Sequence, residues 1–248
     1  MTSTFTKRYP TPETAASAAR NYAWLATHAL PMRQPALTEI GDTTLTFAHI
    51  EGRHAGPDDL LYLAALLGNA HGAAWRSTLH RAELTEPYSF DDGTPFGAYL
   101  APREEVLRER RRQGFLPSDD ALASMLEILR QGAEGPAAFY KDCNLRNFLT
   151  TDDYTVFTVD PDQLTLAPFG YDLAKLVLSM VMTCGPMPTG LQDEVLAMYN
   201  KAAGHHDARL GTTSRARFNG FLALHAVLTA PYAGRHGYRP HSPSPEAP

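Results

Sequence analysis

The hydrophobic pattern of this 248-residue chain changes period once, at Glu51-Gly52, and the change divides it into two unequal parts. Before that point Thr2 to Arg8, Leu37 to Ile40 and Thr43 to Ile50 are short β-prone runs. The last two are separated by Gly41-Asp42, a favoured hairpin turn. Pro12 to His28 carries Ala and Leu at helical spacing behind Thr11, which can cap it. After Gly52 the period becomes helical. Leu60, Leu63, Ala64, Leu67 and His71 share one face of a helix capped by Asp58 or Asp59 and running through Trp75. Further helices are predicted over Pro102 to Gln113, Ser118 to Gly132, from Asp172 onward, Leu191 to Ala203 and Thr213 to Leu228. The expected organisation is a small mixed lobe with its hinge over 1–52, a helical lobe over 53–233, and a tail over 234–248. That tail, rich in Pro, Ser, Gly and His, has too little apolar content to order itself.

Charge and hydropathy narrow the class of partner. The formal charge is −5, which argues against a duplex-binding surface, since phosphate neutralisation needs a concentrated basic face. Leu60 to Leu67 and Leu173 to Met182 are too short or interrupted to cross a bilayer, and Met1 to Pro10 is too polar for a secretory signal. A cytoplasmic protein with a small-molecule partner is expected, with neither nucleic acid nor membrane, and nothing specifies its oligomeric state. Cys143 and Cys184 make no disulfide framework and have no metal-ligand spacing.

The chemistry concentrates in Tyr140-Lys141-Asp142-Cys143-Asn144-Leu145-Arg146-Asn147-Phe148-Leu149, followed by the β-branched strand Thr155 to Val159 and Asp160. Phosphoryl transfer needs a carboxylate to orient the attacking hydroxyl and accept its proton, and oxygen ligands to hold Mg²⁺ on the phosphates. Asp142, Asn147 and Asp160 have the spacing for both tasks. The bland reading is that Asp142 and Asn147 satisfy a turn and that Asp160 ends a strand.

The segment resembles the catalytic and metal-binding loops of the aminoglycoside phosphotransferase and choline kinase-like family, whose usual loop reads His-Gly-Asp-x-x-x-x-Asn. Phe169-Gly170-Tyr171-Asp172-Leu173-Ala174 is similar to that family's Tyr-Asp-Leu-Ala helix start, and Leu45 to Gly52 resembles its hinge strand. The resemblance implies an α+β, two-lobed protein-kinase-like fold with a shortened N-terminal lobe and a mainly helical C-terminal lobe. It implies a small-molecule kinase that uses ATP, or GTP, and Mg²⁺ to phosphorylate a hydroxyl of an aminoglycoside-like or other antibiotic compound. Asp142 would be the base, Asn147 and Asp160 the metal ligands, Lys7 the phosphate-pairing lysine with Arg8 as competitor. The backbone around Ala48 to Ile50 would bind adenine, and Asp172 would brace the catalytic loop.

Departures from the family pattern carry expectations of their own. Tyr140 and Lys141 stand in place of His and Gly, so the hydrogen bond that His supplies to the loop must come from elsewhere. Asp162 gives a further carboxylate for a second ion or a substrate ammonium. Asp91 and Asp92 could face a cationic substrate, or simply form a turn. Only six residues precede Lys7, which leaves no room for a Gly-rich hairpin over the phosphates, and the helix after it offers no Glu in its central turn. These features favour an alternative, a pseudokinase that binds a nucleotide or partner without turnover, or else a chain whose start omits upstream residues.

Overall fold

The computed structural model describes residues 3–235 and 237–239. Strand β1 (Thr4–Arg8) leads into helix α1 (Pro12–His28), then β2 (Leu37–Ile40) and β3 (Thr44–Ala48). The three strands form an antiparallel sheet in the order β1-β3-β2, with Lys7 opposite Leu45. Thr11 starts α1 as its spacing predicts: its hydroxyl accepts from the Thr14 N–H, while the Thr14 hydroxyl accepts from the Thr11 N–H. That reciprocal pair satisfies two of the donors a helix start leaves open.

Helix α1 serves two cores. Its Ala18 and Tyr22 pack on Leu45 and Phe47 of the small sheet, whereas Trp24, Leu25 and Ala29 enter the main core. The Trp24 ring stands 5.1, 4.6 and 5.6 Å from Phe90, Phe96 and Phe139.

The larger part begins with β4 (Arg53–His54) and α2 (Leu60–Ser77). Asp59 precedes α2 but does not cap it. Its carboxylate instead accepts from the Gly56 N–H at 2.7 Å and from Arg53 at 2.6 and 2.9 Å, because a guanidinium within reach forms a stronger pair than the helix end. The hairpin of β5 (Tyr88–Ser89) and β6 (Pro95–Phe96) precedes α3 (Leu100–Arg112) and α4 (Asp119–Ala133), the latter capped by Ser118. Strand β7 (Ala137–Tyr140) brings the chain to the polar loop, which returns as β8 (Phe148–Thr150) and β9 (Val156–Thr158). β4, β8 and β9 form one small sheet, while β10 (Thr165–Pro168) pairs with β7. Helices α5 (Tyr171–Cys184), α6 (Leu191–His206) and α7 (Arg215–Thr229) complete the part. Leu173, Leu176, Val177 and Met180 of α5 are all buried, a face worth roughly 6–12 kcal/mol at ~1.5–3 per side chain. Helix α2 lies so close to α6 that a Cβ on Gly68 would strike the Tyr199 carbonyl oxygen.

The tail expectation needs correction where the tail is described. Tyr238 is 6% exposed, its hydroxyl accepts from Asn144 Nδ2 at 2.9 Å, and the Arg239 N–H donates to the Met182 carbonyl at 2.8 Å. One aromatic ring finding a buried polar site suffices where a periodic apolar face is lacking. Residues 236 and 240–248, which the same expectation covered, lie outside the described residues, as does Thr2. Among the described residues no helix is long and apolar enough to cross a membrane.

Candidate active site

The loop between β7 and β8 is anchored from beneath by Asp172, in the first turn of α5. Fully buried, its carboxylate accepts from the backbone N–H of Lys141 at 3.0 Å and of Cys143 at 2.8 Å, and from the Cys143 thiol at 3.2 Å. Burial pushes the Asp172 carboxyl up, against the pull of the Lys141 ammonium and these donors. Burial likewise pushes the Cys143 thiol well up, so it packs rather than reacts.

Held from both sides in this way, Asp142 adopts φ 59°, and Asp160 after β9 adopts φ 55°. Only one other non-glycine among the described residues, Tyr154, has a positive φ. Left-handed backbone persists where surrounding structure over-determines it, a signature of functional loops. Asp142 Oδ1 accepts from the Tyr140 hydroxyl at 2.9 Å and lies 3.1 Å from the Lys175 ammonium of α5. Burial opposes the Asp142 charge, but Lys175 and the Tyr140 hydroxyl outweigh it and hold the carboxyl below its usual range. Lys175 is buried, and Asp142 with Tyr238 raises its pKa against that burial.

Asn147 donates from Nδ2 to the Asp142 carbonyl at 3.1 Å. That bond orients the amide and leaves Asn147 Oδ1 without a hydrogen bond among the described residues. Across the cleft Lys7 Nζ reaches Asp160 Oδ1 at 2.7 Å and Asp162 Oδ2 at 2.6 Å. Burial works against the Lys7 charge, yet the two carboxylates raise its pKa. Helix α1 offers Lys7 no carboxylate, its one acidic residue, Glu13, lying in the first turn. Asn21, in its central turn, donates instead to the Asp162 carbonyl at 2.7 Å. Asp162 also accepts from the Tyr9 hydroxyl at 3.1 Å. It is therefore a partner of Lys7 and Tyr9 in this structure, and a second ion or a substrate ammonium would have to displace them.

These residues line one open cavity of about 630 Å³, bounded by Lys7, Asp142, Asn147, Asp160 and Asp162 among others. Beside it lies a more apolar cavity of about 320 Å³, walled by Phe5, Tyr22, Phe47, Ala48, Ile50 and Leu149. The Ala48 N–H already donates to Ala36 and the His49 N–H to Ser3, at 2.8 and 2.9 Å. Of the three expected hinge donors, only the Ile50 N–H makes no hydrogen bond among the described residues. Asp91 and Asp92 stay away from both cavities. Asp92 caps its own turn by accepting from the Thr94 N–H at 2.9 Å, and Asp91 lies 3.4 Å from Arg81. A turn that satisfies itself locally wins over a distant role.

Oxygen donors suit a hard cation. Asp160 Oδ2 and Asn147 Oδ1 accept no hydrogen bond among the described residues and face the same cavity. No group of three or more His, Cys, Asp or Glu side chains among the described residues makes an all-protein metal site. Two oxygen donors of this kind are a donor set compatible with Mg²⁺, which commonly takes one or two protein oxygens and completes its shell with water and phosphate. Sequence reasoning missed Lys175 and Tyr238, because no local spacing ties α5 or the tail to the loop, and it read Tyr140 only as a departure rather than as a donor to Asp142.

Comparisons with known proteins follow this geometry. The family model described as "phosphotransferase enzyme family" matches residues 3–217. A search of curated protein sequences finds no match. Among solved structures, an amicoumacin kinase in complex with AMP-PNP, Ca²⁺ and Ami is 14% identical with TM-score 0.56, over 92% of this chain and 73% of that one. A macrolide 2'-phosphotransferase type I is 17% identical with TM-score 0.56, over 95% and 80%. A Plasmodium vivax ethanolamine kinase is 10% identical with TM-score 0.59, over 91% and 68%. At these identities the likeness is one of fold.

Proposed function

The chain belongs to the phosphotransferase enzyme family, and from that membership we propose that it transfers the γ-phosphoryl group of ATP to a hydroxyl of a small molecule. The observation that carries the proposal is the meeting of Asp142, Asn147, Asp160 and Lys7 in one cavity beside an apolar one. The apolar cavity, with the Ile50 N–H free at its edge, is suited to adenine. Asn147 Oδ1 and Asp160 Oδ2 would hold Mg²⁺, which when bound neutralises charge on the phosphates. Asp142, ionised at neutral pH, aligns the acceptor hydroxyl and takes its proton. The acceptor oxygen forms its bond to phosphorus as the bond to the ADP oxygen breaks. Lys7 can turn from Asp160 towards the phosphates. On this proposal the nucleotide-binding lobe and hinge would lie in 1–52 and the catalytic lobe in 53–233.

The named substrates of the similar structures, amicoumacin, macrolides and ethanolamine, support a small hydroxyl compound as acceptor, an antibiotic among the candidates. One observation favours the rival reading of a nucleotide-binding pseudokinase: Lys7 occupies Asp160 Oδ1, an oxygen of the proposed metal ligand. The two readings part on turnover. Asp142→Asn should lower phosphoryl transfer by about 10²- to 10⁴-fold, the worth of a positioned base, with ATP affinity unchanged. A wild-type chain that binds ATP and Mg²⁺ yet phosphorylates nothing in a broad panel of hydroxyl compounds would favour the rival.

A further inference from the structure

Four residues line both cavities: Lys7, His54, Arg146 and Asp160. On the reading above, with the base in the apolar cavity and Asp142 in the polar one, the phosphates must cross that shared boundary. Its charges are not equivalent. Lys7 is already matched by two carboxylates, and Asp160 is itself an anion. Arg146 is different. It is exposed, it forms no ion pair or side-chain hydrogen bond among the described residues, and it stands on the turn Leu145–Asn147 between the proposed base and the proposed metal ligand.

The guanidinium has a backing. At Gly237, φ 83°, an added Cβ would lie 2.5 Å from an Arg146 guanidinium nitrogen. The absence of a side chain there lets the bare backbone of the C-terminal segment lie against the guanidinium. Tyr238 and Arg239 fasten that segment to Asn144 and Met182. A cation with no carboxylate partner among the described residues, backed on one side and open to a polar cavity on the other, suits an anion with several oxygens. A guanidinium offers such oxygens a planar fork of donors.

The geometry points to Arg146 as a phosphate-binding residue for the nucleotide, delivered from the catalytic loop. It would do from below what backbone N–H groups of a Gly-rich hairpin do from above. This assignment rests on the proposed phosphotransferase function.

The test compares ATP, ADP and adenosine by titration calorimetry on the full-length chain and on the Arg146→Ala and Arg146→Lys variants. Loss of charge-assisted hydrogen bonds should weaken ATP and ADP by about 10- to 100-fold in Arg146→Ala. Adenosine should bind as before, and Arg146→Lys should recover part of the ATP affinity. Equal weakening of ATP and adenosine would mean that Arg146 only supports the loop, and unchanged ATP affinity would remove it from the phosphate path. Either result overturns this assignment while leaving the phosphotransferase reading intact. A wild-type chain that binds none of the three ligands overturns both.

Discussion

Replacing Asp172 by Ala tests whether the catalytic loop is held from below. Asp172 is fully buried and accepts two backbone N–H donors, from Lys141 and Cys143, which have no alternative partner in the hydrogen-bond network described above. Each orphaned buried donor costs about 1–3 kcal/mol, so the two together cost about 2–6. The buried Lys141 Nζ, which lies against the Phe148 ring and makes no hydrogen bond among the described residues, also loses the attraction of the Asp172 carboxylate. With a urea slope near ~3 kcal/mol/M for a chain of this size, the unfolding midpoint should drop by about 0.7–2 M. Asp172→Asn keeps one acceptor oxygen and should recover part of the loss. A midpoint for Asp172→Ala within about 0.3 M of wild type in urea melts followed by circular dichroism would refute the accounting.

Two further substitutions probe the loop from its sides. Lys175→Met removes the cation that keeps the Asp142 carboxyl low, so Asp142 would stay protonated to higher pH. The acidic limb of kcat/KM should therefore move up in pH, and an unmoved limb would show that Lys175 does not govern the base. Tyr238→Phe deletes the acceptor for Asn144 and costs about 0.5–1.5 kcal/mol, which should lower Tm by about 1–6 °C in differential scanning calorimetry. An unchanged Tm would mean that the C-terminal segment does not dock in solution.

How much of this was legible in the sequence depended on the range over which each residue acts. Thr11, Ser118 and the apolar stripes signal helices through partners three or four positions away, and those helices formed where their spacing placed them. Asp142, Asn147 and Asp160 were legible as a set because one loop and one strand carry all three. Asp59 was misread because its carboxylate had two local options, the helix end or Arg53, and sequence does not rank them. Lys175, Tyr238 and Arg146 gave no signal at all. The first meets Asp142 across 33 positions and the second meets Asn144 across 94, so only the packing of α5 and the last residues reveals them. Arg146 acquires meaning only from two cavities that no pattern along the chain encodes.

The division of α1 between two cores bears on how the cleft can move. A swing of the small sheet about residues 48–52 would either shear Tyr22 from Phe47 or lever Trp24 from its aromatic neighbours. Unseating a ring of that size costs on the order of 3–5 kcal/mol, judged from the removal of large core side chains. The backbone positions of Lys7 and Asp160, whose side chains touch at 2.7 Å, are therefore set when the chain folds, and ligand entry asks only the Lys7 side chain to turn. The ordering entropy of the cleft thus belongs to folding rather than to binding, the condition under which a rigid site loses least affinity.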